Sequence, residues 1–288
     1  EGEGEGEGEG EGEGEGEDLP DCRIVDNING TGLDLEFCTI VPAGESVRYW
    51  MGCRGDLNGA WRCDADELPQ HEVAFEHGFE LMRTEVTESQ YRACVEAGHP
   101  GCVAASECDP GSNTPNPSPN YGEVGSEDRP IVCVSWEMAQ AFSEWIGGRL
   151  PSEAEWEYGA RGPMADVVDY SVFPWGDGQL TCRHAQYSDC GGQEVDVRSF
   201  SPMGDSPFGL ADMAGNVWEL VQDCYQANHE GAPVDGRARL ECDGVAGVSV
   251  IKGGGWNNGR TIMRSAVRST NQGQRTSTLG FRTARSLP

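Results

Sequence analysis

Twelve cysteines, five histidines and a C-terminal run of arginines are the groups in this 288-residue chain with chemistry to offer. The cysteines are Cys22, Cys38, Cys53, Cys63, Cys94, Cys102, Cys108, Cys133, Cys182, Cys190, Cys224 and Cys242. None forms a Cys-x-x-Cys pair, and no His stands three to five residues from another, so the spacing of a zinc site is missing. An even number scattered through loop-like sequence fits disulfides made in an oxidising compartment. Cys182 with Cys190 closes a short local loop and is the first pairing expected, with Cys53–Cys63 next. His71, His77, His99, His184 and His229 are dispersed, and His71 and His77 read as strand-face residues. The sequence holds no Gly-x-Ser-x-Gly elbow, His-Glu-x-x-His or phosphate loop, since Gly253–Gly255 lacks the following Lys-Ser/Thr.

The arginines sit apart from the acids. After Asp243 there is no acidic residue, yet seven of the 20 Lys+Arg lie there: Lys252, Arg260, Arg264, Arg268, Arg275, Arg282 and Arg285. The first 243 residues therefore carry 13 bases against 49 acids. A basic segment on so acidic a body either pairs with its carboxylates or lines a site for an anionic or polar ligand. Arg268 and Arg282 are expected to be structural, paired with carboxylates such as Glu155 or Glu157. Trp256, Asn257, Asn258, Arg260, Arg264, Asn271, Gln272 and Arg275 offer stacking surface, amides and guanidinium forks for a peptide, glycan or carboxylate. Arg260 and Arg275, in irregular stretches, are the better ligand candidates.

Composition narrows the partners. Residues 1–17 alternate Glu and Gly, and with Asp18 they hold ten of the 49 acids. Residues 1–20 are expected to be a disordered acidic tether. The remainder is still acidic, which argues against nucleic acid or an anionic membrane as partner. No run of about 18 apolar residues is present to span a membrane. The chain starts without Met or signal peptide, as a mature or trimmed form would, and an N-terminal tether suits a lipid-anchored bacterial protein.

The elements that must position these groups are short. Residues 21–34 are a turn-rich extension pinned by Cys22, and the domain proper spans 35–288. Leu35–Val41 and Val47–Met51 have strand patterns, and His71–Val73–Phe75–His77–Phe79 alternates by period two. Thr87-x-x-Gln90 is a capping box that opens a helix. Residues 99–130, rich in Pro, Ser, Asn and Gly, form a long surface loop held by disulfides. Ser135 caps a second helix with Met138, Ala139, Phe142, Trp145 and Ile146 inward, and Ser152–Glu155 caps a third. Gly253–Gly255 read as strand where a neighbouring backbone or Trp packs closely. The fold class is α+β with modest regular structure.

Gly148-Arg149-Leu150-Pro151-Ser152-Glu153-Ala154-Glu155-Trp156-Glu157-Tyr158-Gly159-Ala160-Arg161-Gly162 resembles the signature of the formylglycine-generating enzyme, or sulfatase-modifying factor, family. Ile40–Gly44, Tyr49–Gly52, Glu85-Val86-Thr87, Pro130–Trp136, Phe173-Pro174-Trp175-Gly176-Asp177, Gly209–Glu219, Gly253-Gly254 and Gly280-Phe281-Arg282 follow in the family's order. The resemblance implies a single compact domain related to C-type lectins. It also implies calcium, held by Asp212, the backbone of Gly215 and Val217, and Glu219, a ligand set whose oxygen chemistry suits Ca²⁺. A second family site would fall near Gln186, Tyr187 and Asp189. The family's oxidase binds copper(I) with two cysteines after the Gly-Gly-Ser-aromatic strand. Here Gly253-Gly254-Gly255-Trp256-Asn257-Asn258-Gly259-Arg260 occupies that stretch, both thiols are missing, and copper is not expected.

No catalytic residue is therefore assigned. The reading is a secreted, periplasmic or cell-surface binding protein that takes a peptide, glycan or protein ligand in a C-terminal Trp/Asn/Arg groove. Lectin-like members use the same region, in some cases as a diversified variable segment. The alternative is an oxidoreductase of the formylglycine type, or another reaction in that groove. The iron-dependent sulfoxide synthases of this fold are not matched, because their histidine cluster is absent.

Overall fold

The computed structural model describes residues 21–55, 61–109, 119–163, 171–242 and 247–288; the expected tether lies outside these. The elements in order are β1 (Cys22–Val25), β2 (Leu35–Val41), β3 (Val47–Met51), β4 (His71–Phe75), β5 (Phe79–Met82), α1 (Glu88–Glu96), α2 (Trp136–Trp145), α3 (Glu153–Arg161), β6 (Trp218–Cys224), β7 (Ser249–Lys252), β8 (Arg268–Asn271), β9 (Leu279–Gly280) and β10 (Ala284–Ser286). Short strands, helices of nine or ten residues and much irregular chain make this an α+β fold.

The strands form two four-stranded sheets, ordered β1-β2-β5-β10 and β8-β7-β6-β9, and a two-stranded β3-β4 pair. The C-terminal stretch is woven into both. β8 pairs with β7, β9 lies parallel to β6, and β10 pairs with β5. Leu35–Val41 and Val47–Met51 are strands as expected, but they do not pair with each other: β2 lies between β1 and β5, while β3 pairs with β4. β2 is buried along most of its length, as an inner strand must be. Residues 21–34 are more than an extension, because β1 completes a sheet and Cys22–Cys38 ties it at a register pair.

Each helix starts where its capping residues stand. Thr87 and Ser152 make full capping boxes and Ser135 accepts from the Met138 N–H. Two principal cores form. Tyr91, Phe142 and Phe281 pack between α1 and α2, and Tyr49, Phe75, Trp156 and Tyr158 pack under α3.

All twelve cysteines pair: 22–38, 53–63, 94–102, 108–133, 182–190 and 224–242. Cys182–Cys190 and Cys53–Cys63 are the two expected pairs. Six disulfides fit an oxidising extracellular or periplasmic setting. Among the described residues, no helix is long and apolar enough to cross a membrane.

Candidate functional site

The C-terminal bases fall mostly inside the protein. Arg264 is 3% exposed, and its guanidinium grips both Glu67 oxygens at 2.6 and 2.7 Å. Burial raises the Glu67 pKa, with Arg264 opposing. Arg268 forks onto Glu153 at 2.7 and 2.9 Å. Lys252 reaches Glu157 at 3.0 Å, and Glu157 also accepts from Arg161. Burial opposes the Glu157 charge, but Lys252 and Arg161 outweigh it and hold its pKa down at about 2.

Arg268 and Arg282 are structural and paired with carboxylates as expected, but the carboxylates are Glu153 and Glu219 rather than Glu155 or Glu157. Glu153 and Glu157 lie four apart on one face of α3, where they meet β7 and β8. Glu155 is turned away, accepts from the Ser152 N–H as capping residue, and is held by Arg149 at 2.6 Å. Arg264, expected at a ligand surface, is withdrawn from it because the buried Glu67 carboxylate takes both prongs of its guanidinium.

Arg282 is the centre of a second cluster. Fully buried, it donates to both Glu219 oxygens at 2.7 Å and to the carbonyls of Met82, Arg83 and Ala211. Glu85, Asp212 and Glu219, all buried, share this single guanidinium. Burial pushes the Asp212 pKa up to about 6, and burial and then Asp212 raise that of Glu85.

The four residues implied for calcium lie here. Glu219 Oε2 already accepts from Trp156 and Arg282, and Oε1 from Arg282. One Oε1 lone pair is left of the four a carboxylate has. Asp212 Oδ2 accepts the Arg198 N–H. Asp212, that Oε1 lone pair and the carbonyls of Gly215 and Val217 are hard oxygen donors, the chemistry that calcium takes. Of the second implied set, Asp189 is paired with Arg260 and the Gln186 amide donates to the Gln193 carbonyl.

The residues expected to form the ligand groove scatter. β7 ends at Lys252, and Gly253 and Gly254 have φ of +89° and +78°, so the glycine run is not strand. A Cβ on Gly253 would lie 3.2 Å from Trp156, and one on Gly255 would lie 3.3 Å from Trp218, the close Trp approach that glycine permits. Trp256 is 7% exposed with its indole donating to Ser277 O, so it offers no stacking face. The Asn271 side chain closes the 271–274 turn, and Arg275 anchors Asp109 in the long loop. The Asn258 carbonyl accepts the Ser188 N–H, which fixes the loop carrying Asp189. The Asn257 side-chain oxygen is buried without a partner.

Arg260 lines an open cavity of about 420 Å³ with Trp61, Val172, Asp177, Gln179 and Leu180, while Asn271 lines a separate, smaller one of about 260 Å³ beside Trp136 and Gln222. The Arg260 side chain is 55% exposed, 2.9 Å from Asp189 and stacked over Tyr187 at 5.8 Å. An aromatic ladder runs behind: Trp61 meets Phe173 edge-on, and Phe173, Trp175 and His184 stack in turn. Sequence reading missed Trp61, Leu180 and Val172, which come from segments far from residue 260. The Phe173–Asp177 motif was the signal that could have found them.

The chain matches the sulfatase-modifying factor enzyme 1-like domain over residues 39–287. It belongs to that family. It is 30% identical over 292 residues to the formylglycine-generating enzyme of Streptomyces coelicolor, covering 85% of this chain and 87% of that one. It is 33% identical over 247 residues to the serine/threonine-protein kinase pkn1 of Chlamydia pneumoniae, covering 81% of this chain but only 36% of the relative. The solved structure of PvdO from Pseudomonas aeruginosa superposes with a TM-score of 0.72 at 29% identity, covering 93% of this chain and 99% of that one. The sulfatase-modifying factor-like domain thus carries a fold that hosts enzymes, while in this member every cysteine is tied into a disulfide.

Proposed function

We propose that this sulfatase-modifying factor-like protein is a secreted or surface-held binding module, and that its ligand sits in the Arg260 cavity. The single observation behind this reading is the replacement of the family's copper thiols by Gly255–Arg260, joined to an open cavity under Arg260. Soft copper(I) chemistry needs thiolates. An exposed Arg–Asp pair is worth little in water, so Asp189 can yield Arg260 to an incoming carboxylate. Trp61, Val172 and Leu180 supply apolar wall, and Asp177 and Gln179 supply polar rim. The ligand class is a peptide or glycan with a carboxylate beside an apolar group.

Binding of carboxylate-bearing peptides and acidic sugars, screened on arrays and measured by calorimetry, tests this. Arg260→Ala should abolish binding without changing the melting temperature, and Asp189→Asn should tighten it. Equal binding by wild type and Arg260→Ala sinks the proposal. The enzyme alternative is decided by mass: a cysteine peptide converted to the aldehyde with copper and oxygen would overturn the binding reading.

Calcium is part of the same proposal. Asp212 and Glu219 with the carbonyls of Gly215 and Val217 would hold it, and it would offset the buried charge that Arg282 leaves uncompensated. Its role is to hold the turn before β6, next to the strand that leads to Gly255. Stripping with EDTA should lower the melting temperature; an unchanged value removes calcium from the account.

A further inference from the structure

Three buried polar atoms without a hydrogen-bond partner belong to one neighbourhood: Gln70 Nε2, His71 Nε2 and His229 Nε2. Such atoms are few in folded proteins, and each points to a water, ion or ligand that meets it. His71 closes the β3–β4 ladder opposite Met51, and its Nδ1 lies 3.2 Å from the Pro69 carbonyl. That contact places the ring proton on Nδ1 and leaves a lone pair on Nε2. It is the tautomer and outer hydrogen bond that metal-bound histidines use.

His229 approaches from the loop after β6, where its backbone N–H donates to Leu68 O at 2.7 Å, and it is 4% exposed. The two ring centroids are 5.1 Å apart. Two imidazoles on one tetrahedral ion, at metal–nitrogen distances of about 2.0–2.1 Å, have centroids about 5 Å apart. Gly52 makes the approach possible: a Cβ there would meet Glu67 O at 2.7 Å and both Gln70 Cα and His229 Cδ2 at 3.4 Å. A half-turn of the Gln70 amide would present oxygen instead of nitrogen, a third donor.

The nearby carboxylates are already spent on cations, Glu153 on Arg268 and Glu157 on Arg161 and Lys252. Imidazole nitrogen is what remains, and it selects borderline ions over calcium or magnesium. We propose that His71 and His229 form a binding site for a divalent late transition-metal ion of the zinc–copper class. It is separate from the oxygen-donor cluster around Asp212 and from the Arg260 cavity. The ion clamps β4 to the 225–234 loop, beside the backbone bond from Ala74 N–H to Val234 O.

Chelator-stripped protein without an affinity tag would be titrated with Zn²⁺ against a chromophoric chelator, and with Cu²⁺ by electron paramagnetic resonance. The expected result is one ion per chain, with hyperfine coupling to two imidazole nitrogens in the copper form. His71→Ala and His229→Gln should each weaken uptake about tenfold or more, and His99→Gln should not. His71 is only half-buried, so its variant retains the fold, checked by circular dichroism. Uptake unchanged in both variants, or folded wild type showing no two-nitrogen copper signal, overturns the site.

Discussion

Replacing Arg282 by Met tests the account of the buried acidic cluster most directly. The change keeps the side chain's bulk and removes five donated hydrogen bonds, two to Glu219 and three to backbone carbonyls. It leaves Glu85, Asp212 and Glu219 without the one guanidinium they share. Removing one partner of a buried pair costs about 3–5 kcal/mol. At about 2–4 °C per kcal/mol for a domain of this size, the melting temperature should fall by about 6–20 °C in calcium-free buffer. The sign of the pH dependence is fixed by Asp212, whose folded pKa is raised to about 6. A raised carboxylate adds stability below its unfolded pKa and loses it as pH rises through the folded pKa. Without Arg282 that pKa rises further, so the penalty should be largest above pH 7 and shrink toward pH 5. Adding Glu219→Gln should recover part of the loss in a double-mutant cycle. Calorimetric melts of the three variants at pH 5 and 7.5 decide it. A shift under about 2 °C, or one that does not vary with pH, refutes the reasoning that three carboxylates share one base.

Further outcomes follow from single contacts. Arg264→Met should destabilise by about 3–5 kcal/mol by stranding Glu67, and should leave ligand binding at Arg260 intact. Gly215→Ala places a Cβ against the Gln186 carbonyl at a φ of +81°, and a loss of about 2 kcal/mol or more in urea unfolding is expected. Burial lowers the His229 pKa to about 4, so stability measured with chelator present should fall as pH drops from 6.5 to 4, and His229→Gln should flatten that slope. Glu157, held at about 2 by Lys252 and Arg161 against burial, contributes stability present above its unfolded pKa and lost as pH falls toward 2; Glu157→Gln should blunt that acid limb.

Local chemistry in the sequence decided the pieces that act over a few residues. Thr87, Ser135 and Ser152 start helices because an N-cap needs only its own next turn, and Cys182–Cys190 forms across a short loop. The ordered motifs from Ile40 to Arg282 carried the family, because each is a contiguous string. Charge segregation likewise announced that the C-terminal bases had to find carboxylates.

Only the tertiary structure decided which carboxylate each base met. Glu153, Glu155 and Glu157 are equivalent as letters, but the turn of α3 points two at β7 and β8 and one at Arg149. Trp256 looks like a ligand platform in sequence, yet its indole is sealed against Ser277, and Arg264 is sealed against Glu67. The cavity under Arg260 joins residues 61, 172, 177–180 and 260. Likewise His71 meets His229 across 158 positions of chain. Neither meeting has a local cause; strand pairing and core packing bring them about, and no window of sequence contains both sides.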